Sequence, residues 1–155
     1  MKDYFQRIVL ELFKNIQKDE FLIINFDAEE SNFVRLNKAR IRQPGNVRQI
    51  SMSLSLSNRD KRNLKSFVRL NGDFNRDLAT LIKTLNYLRR ELPDLPKDPY
   101  LLFSKSVQST EICDIEKNIN DEENLDYIFS KVSGLDLVGI YSSGYIYTGL
   151  ANSLG

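Results

Sequence analysis

Hydrophobic and polar residues alternate most strictly between Ile50 and Leu56, where Ile50, Met52, Leu54 and Leu56 are separated by Ser51, Ser53 and Ser55. A period of two puts the four apolar side chains on one face of a strand, whereas a helix would scatter them around its axis. Upstream, Phe33 to Leu36 and Ala39 to Gln43 flank Asn37-Lys38. Asn tolerates the left-handed backbone that a tight hairpin turn requires. Pro44-Gly45 predicts a further reversal. Downstream, Ser57-Asn58-Arg59-Asp60 reads as a turn into Arg62 to Asn71, with Leu64, Ser66, Val68 and Leu70 on one face and Lys65, Phe67 and Arg69 on the other. Glu20 to Asp27 is more continuously apolar, through Phe21, Leu22, Ile23, Ile24 and Phe26, as an inner strand would be. Connections this short predict an antiparallel meander.

Other stretches repeat at three and four. Tyr4, Phe5, Ile8, Leu12 and Ile16, widened by Val9 and Phe13, predict a first helix capped by Asp3 and lying across one sheet face. Leu78, Leu81, Ile82, Leu85 and Leu88 predict a second, from Phe74 to Glu91, with Asp73 as N-cap and Leu92-Pro93 as its stop. Pro93, Pro96 and Pro99 stiffen the connection that follows, and Leu101 to Gln108 is read as a short extended piece. A third helix is expected from Asp121 to Ser133, acidic in its first turn, apolar at Leu125, Ile128, Phe129 and Val132, and ended by Gly134. The final stretch returns to strand chemistry, and Ser142-Ser143-Gly144 predicts a terminal hairpin leading into Tyr145 to Leu150. The expected class is α/β of the α+β type: a largely antiparallel, mixed sheet with about three helices packed on it, in a single domain over 1–155.

At 155 residues and 41% hydrophobic, the chain is long enough to bury a core. Its net charge of +1 hides an uneven distribution. From Ser31 to Arg69 the bases Arg35, Lys38, Arg40, Arg42, Arg48, Arg59, Lys61, Arg62, Lys65 and Arg69 face a single acid, Asp60. Between Glu91 and Tyr127 acids dominate. There is no histidine, which removes the usual acid-base group near neutral pH and the commonest zinc ligand. The single cysteine, Cys113, is read as an ordinary buried or half-buried thiol, because acidic neighbours disfavour a thiolate. One cysteine permits no internal disulfide, so a reducing, cytoplasmic setting is expected. No run of about 18 apolar residues is present, and no membrane span is expected.

Candidate chemistry is correspondingly narrow. The glycines do not have the spacing of a phosphate-cradling loop and are better suited to turns or to close backbone approach. Serines 51, 53 and 55 form a polar stripe, either the wet side of a sheet or a floor for an extended peptide, since short side chains leave backbone groups accessible. Nucleic-acid binding would need the bases on one face beside exposed aromatics. Parity splits them, Arg35 pointing with Phe33 and Arg48 with Ile50, and only Phe67 between Lys65 and Arg69 has the right arrangement.

Several phrases together are similar to the amino-terminal part of the TldD/PmbA family of metalloproteases, also called modulators of DNA gyrase. They are F-V-R-x-N at Phe33 running to R-Q-x-G at Arg42, the alternating strand with its basic turn, Asp98-Pro99-Tyr100, D-x-V-G-x-Y-x-S-G from Asp136, and G-x-A-N-S-x-G from Gly149. They span most of the chain in the family's order. The resemblance implies an α/β amino-terminal domain that, with a second domain, shapes a cavity admitting unfolded or extended peptides. It places zinc in a carboxy-terminal metalloprotease domain absent from this sequence, so no cofactor and no catalytic residue are expected here. Implied partners are that carboxy-terminal domain, a homodimer or heterodimer mate of the same family, which can be inactive, and the peptide itself. Contact-making or structural roles are expected for Arg35, Asn37, Arg42, Gln43 and Gly45 in the hairpin, and for Ser143, Gly144, Asn152 and Gly155 near the join to the second domain. Main-chain pairing at a sheet edge would hold the peptide. The strand-like ending at Gly155 agrees with a further element beyond it. The rival reading is a stand-alone nucleic-acid-binding or regulatory module using the basic central sheet.

Overall fold

The computed structural model describes residues 1–104, 106–113, 120–132 and 134–154. Three α-helices, α1 (Lys2–Lys14), α2 (Phe74–Glu91) and α3 (Asp121–Lys131), accompany four strands, β1 (Glu20–Asn37), β2 (Arg40–Asn58), β3 (Asn63–Leu70) and β4 (Gly139–Asn152). The strand order is β3-β2-β1-β4, and the sheet is antiparallel, so the fold is α+β as expected. The residues fall into two compact units: Met1–Ala28, Gln49–Thr110 and Tyr147–Gly155 in the first, Glu29–Arg48 and Glu111–Ile146 in the second.

The first unit is built on the period-two pattern. Leu22, Ile24 and Phe26 of β1 and Ile50, Met52, Leu54 and Leu56 of β2 are buried on one sheet face, against Phe5, Ile8 and Leu12 of α1 and Leu81, Leu85 and Leu88 of α2. Phe26 lies at the centre of an aromatic cluster, 5.2 Å from Phe5, 5.6 Å from Tyr147 and 6.0 Å from Tyr4 between ring centroids. β3 pairs with β2 in the register Ile50↔Leu70 to Ser57↔Asn63.

Polar anchors fix how the helices enter. Asp73 caps α2 by accepting from the Arg76 backbone N–H at 3.0 Å. One turn on, the buried Asp77 carboxylate accepts from the Tyr4 hydroxyl at 2.6 Å and from the Gly72 N–H at 2.8 Å. It thereby ties α1 to the turn before α2. Burial, reinforced by the bond to Asp77, pushes the Tyr4 hydroxyl pKa up. At the other end of α2, Arg89 donates to both carboxylate oxygens of Glu20 and to the Asn15 carbonyl.

Several boundaries differ from expectation. Asp3 does not cap α1; Met1 occupies the cap, and Asp3 sits in the first turn, where its charge still faces the helix's positive end. The β1–β2 turn uses Lys38 and Ala39, with φ of 52° and 51°, so the left-handed pair is one residue later than Asn37-Lys38. Pro44-Gly45 makes no reversal, because β2 runs through it. β3 pairs with Ile50 to Ser57 and so does not reach Pro44, where a proline would cost a ladder bond to it. Gly45 fits there because the Phe33 ring occupies the space a Cβ would need. β4 is likewise continuous through Ser142-Ser143-Gly144, in place of a terminal hairpin. Described residues between 101 and 108 form no strand.

In the second unit, α3 is capped by Asn120, whose side chain accepts from Glu123 N–H. It ends at Lys131; Ser133, its expected end, lies outside the described residues. Asp121 accepts from Tyr141 at 2.9 Å and Asn32 at 3.3 Å, joining α3 to β4 and β1.

Candidate functional site

Among the described residues of the first unit no helix packs on the second sheet face, and its residues can be placed row by row. Ser51, Ser53 and Ser55 stand across from Arg69, Phe67 and Lys65 of β3. On the other side, Asn25 Nδ2 donates to Ser53 Oγ at 3.3 Å. The β1–β4 register follows from the Ser153 N–H donating to the Leu22 carbonyl and the Leu22 N–H to Ser153 Oγ, both at 2.9 Å. Counting back along the antiparallel strands brings Leu150 beside Asn25 and Thr148 beside Asp27. The central row therefore reads Leu150, Asn25, Ser53, Phe67.

This row is tall at its ends and low in the middle. Phe67 is 63% exposed and Leu150 67%, whereas Ser53 between them is 7% exposed. The result is a trough of about 460 Å³, lined by Asn25, Asp27, Ser53, Lys65, Phe67, Thr148, Gly149 and Leu150. Its volume falls in the range of roughly 300–1,000 Å³ typical of ligand clefts. Three strand spacings of about 4.8 Å put its walls about 14 Å apart at the backbone. Farther along the same face, Phe21 is packed on Phe103 at 5.2 Å, and Ser55 and Ser57 both donate to Asn63 Oδ1. Those positions are closed by the protein's own groups, leaving the central row open.

The trough can hold and orient a chain, and its floor offers hydroxyl and amide partners to main-chain groups. It does not fit a zinc ion: no three His, Cys, Asp or Glu side chains converge among the described residues, and the sequence contains no histidine.

The residues singled out from the sequence are distributed differently. In the second unit, Ser143 and Gly144 line a hollow of about 330 Å³ with Glu30, Ser31, Asn32, Asn46, Asp121 and Tyr145. Gly144 is required there, because a Cβ would run into the Glu30 carbonyl and the Ser31 backbone; this is the close approach anticipated for the late glycines. Hydrogen bonds from Ser143, and also from Tyr141 and Asn32, hold the Asp121 carboxyl below the usual carboxylate range. Arg35, Asn37, Arg42 and Gln43 are exposed on β1 and β2 of that unit and line neither hollow, and Gly45 packs under Phe33. Asn152 accepts from the Leu154 N–H at 2.9 Å, and Gly155 lies outside the described residues. Cys113 is exposed, correcting the expected buried or half-buried thiol: the described stretch 111–113 is exposed throughout and in no helix or strand.

The sequence singled out the polar stripe of Ser51, Ser53 and Ser55 and, as an arrangement suited to nucleic acid, the Lys65-Phe67-Arg69 triplet; of these Ser53, Lys65 and Phe67 line the trough, while Asn25, Thr148 and Leu150 were missed. Asn25 and Asp27 interrupt the apolar run at odd positions, a signal that one side of β1 meets water. Leu150 was hidden by the expectation of a hairpin. Among the described residues no helix is long and apolar enough to cross a membrane.

No family model and no curated protein matches the sequence. Solved structures do. The chain is similar to a candidate modulator of a DNA gyrase from Thermotoga maritima, with 11% identity, a TM-score of 0.60 and coverage of 99% of this chain and 35% of that one. It is also similar to TldE from Thermococcus kodakarensis, with 10% identity, a TM-score of 0.70 and coverage of 97% and 35%. The chain thus spans about a third of the length of the structures it matches. Nearly every residue takes part in this likeness, and the chain has the fold found in TldE and in the gyrase-modulator structure.

Proposed function

We propose that the chain is the amino-terminal, peptide-holding and assembly domain of a TldD/PmbA-like zinc metallopeptidase, and that the trough holds unfolded or extended peptides. The observation that carries this reading is the build of the trough: a low floor of Ser53 and Asn25 between the exposed apolar walls Phe67 and Leu150, on a chain with the fold of TldE. Short floor side chains let a peptide backbone come close, while apolar walls reward side-chain burial without demanding one sequence. In this reading zinc and the reacting groups belong to the carboxy-terminal domain. That domain, a homodimer or heterodimer mate, and the peptide are the partners; coverage of only about a third of each matched structure agrees with a multidomain parent.

The test is fluorescence anisotropy of a labelled, unstructured decapeptide rich in Val and Leu, titrated with the 155-residue chain. Saturable binding is expected, weakened about tenfold by Leu150→Asp, since burying a leucine is worth about 1.5–3 kcal/mol. Circular dichroism should not change, because Leu150 is outside the buried core. Absence of saturable binding at millimolar protein would sink the reading.

One observation favours a second reading, nucleic-acid binding: Lys65, Phe67 and Arg69 project from the same face of β3, all exposed. Single-strand binders, however, stack successive bases on several aromatics, and here Phe21 is engaged by Phe103. Affinity for an oligonucleotide that falls steeply with salt would support this alternative.

A further inference from the structure

We infer that the trough selects a particular class of extended peptide: one with acidic side chains at its first and fifth positions and an apolar side chain at its third, all on one flank, and aliphatic side chains along the other flank. This rests on the peptide-holding reading above and adds charge and spacing to it.

The two walls differ chemically. On β3, Lys65 and Phe67 line the trough and Arg69 follows on the same exposed face just beyond its end, giving a cationic, an apolar and a cationic station at every second position. On β4 the wall is uncharged, with Thr148 and Leu150. Asp27 stands on the floor, in the row Thr148, Asp27, Ser51, Arg69, so it lies next to the β4 wall and two strand spacings, about 10 Å, from the Arg69 strand. Ser51 separates Asp27 from Arg69. An incoming carboxylate is therefore repelled on the β4 side and attracted on the β3 side.

An extended peptide has the same repeat as the strands beneath it, about 3.3 Å per residue with side chains alternating in direction. Laid along the trough, it sends residues i, i+2 and i+4 toward β3 and i+1 and i+3 toward β4. The stations of β3 then call for acid, apolar, acid, and those of β4 for aliphatic residues. Glu-Val-Leu-Val-Glu meets all five.

The experiment compares three fluorescein-labelled peptides, each flanked by Gly-Ser, with the cores Glu-Val-Leu-Val-Glu, Ser-Val-Leu-Val-Ser and Lys-Val-Leu-Val-Lys, binding to the 155-residue chain. The acidic peptide should bind about threefold to thirtyfold more tightly than the serine peptide, the range for two partly exposed charge pairs, and the margin should shrink as salt rises. The double variant Lys65→Glu, Arg69→Glu should reverse the order in favour of the lysine peptide. Both residues are exposed, and circular dichroism checks that the variant is folded. Equal affinity for the acidic and serine peptides, or an unchanged order in the double variant, overturns the charge selection while leaving peptide holding intact. Failure of all three peptides to bind overturns both. A ten-residue deoxythymidine oligonucleotide that binds saturably, displaces the acidic peptide and is weakened by Phe67→Ala would overturn the assignment in favour of a nucleic-acid platform.

Discussion

The two compact units keep their shape by different means. In the first, two amphipathic helices and the even-numbered positions of β1 and β2 bury a continuous apolar core, with Phe26, Met52, Leu54 and Leu85 at or near zero exposure. In the second, α3 has no buried residue. Leu36 is its only buried hydrophobic among the described residues. Its order comes from a left-handed turn at Lys38-Ala39, a strand contact that only Gly144 permits, and hydrogen bonds converging on Asp121. Val138, Ile140 and Ile146 of that unit are each more than 60% exposed. Hydrophobic burial thus dominates one region, and backbone geometry with polar bonding dominates the other.

The sharpest way to break this comparison is to remove a core ring. Phe26→Ala deletes the centre of the aromatic cluster and leaves a cavity, at an expected cost of about 3–5 kcal/mol. Urea unfolding followed by far-ultraviolet circular dichroism measures it. A loss below 1 kcal/mol would mean that the first unit does not depend on its buried core.

Gly144→Ala probes the other region and should cost less, about 1–3 kcal/mol, because the added methyl meets backbone atoms that cannot rotate away. Hydrogen exchange reads where the cost falls. Amides of β4 around Tyr141 to Ile146 should lose protection, while those of Leu22 to Phe26 and Met52 to Leu56 keep theirs. Unchanged exchange around Gly144 would show that the close strand approach is not what orders this unit.

The contrast also explains what could be read from the sequence. The first unit was legible because its stability is written in periodicity: four alternating apolar residues in β2, the three-and-four repeats of α1 and α2, and the Asp73 cap all lie within single segments. The serine stripe was legible for the same reason. In the second unit α3 was legible in the same way, from Asp121 onward, but the strands were not, because Pro44-Gly45 and Ser142-Ser143-Gly144 have the local chemistry of turns, and only pairing with distant strands shows that they are extended. β3 stops short of Pro44, and Gly144 is used for close approach to Ser31. Neither fact is local. Leu150 was missed as a wall of the trough on the same grounds, since its neighbour Asn25 is 125 positions away in sequence.

The smallest effect, and the one most specific to the polar region, concerns Asp121. Its carboxyl is held below the usual range by bonds from Ser143, Tyr141 and Asn32. A carboxylate whose folded pKa is depressed contributes stability that is fully present above its unfolded pKa of about 3.9 and is lost as pH falls through the folded value. The second unit should therefore loosen in acid, below about pH 4, and remain unchanged between pH 5 and 8. Asp121→Asn keeps the shape but removes the titrating charge. The signal to follow is the side-chain NMR resonance of Tyr141, whose hydroxyl donates to Asp121: it should move with pH below about 4 in the parent chain and stay flat in Asp121→Asn. Because Asp121 lies at the surface, solvent screens the effect, and the global unfolding midpoint should scarcely change. A Tyr141 resonance that ignores acid in both proteins would remove Asp121 as the point on which this unit's hydrogen bonds converge, leaving turn and strand geometry alone to order it.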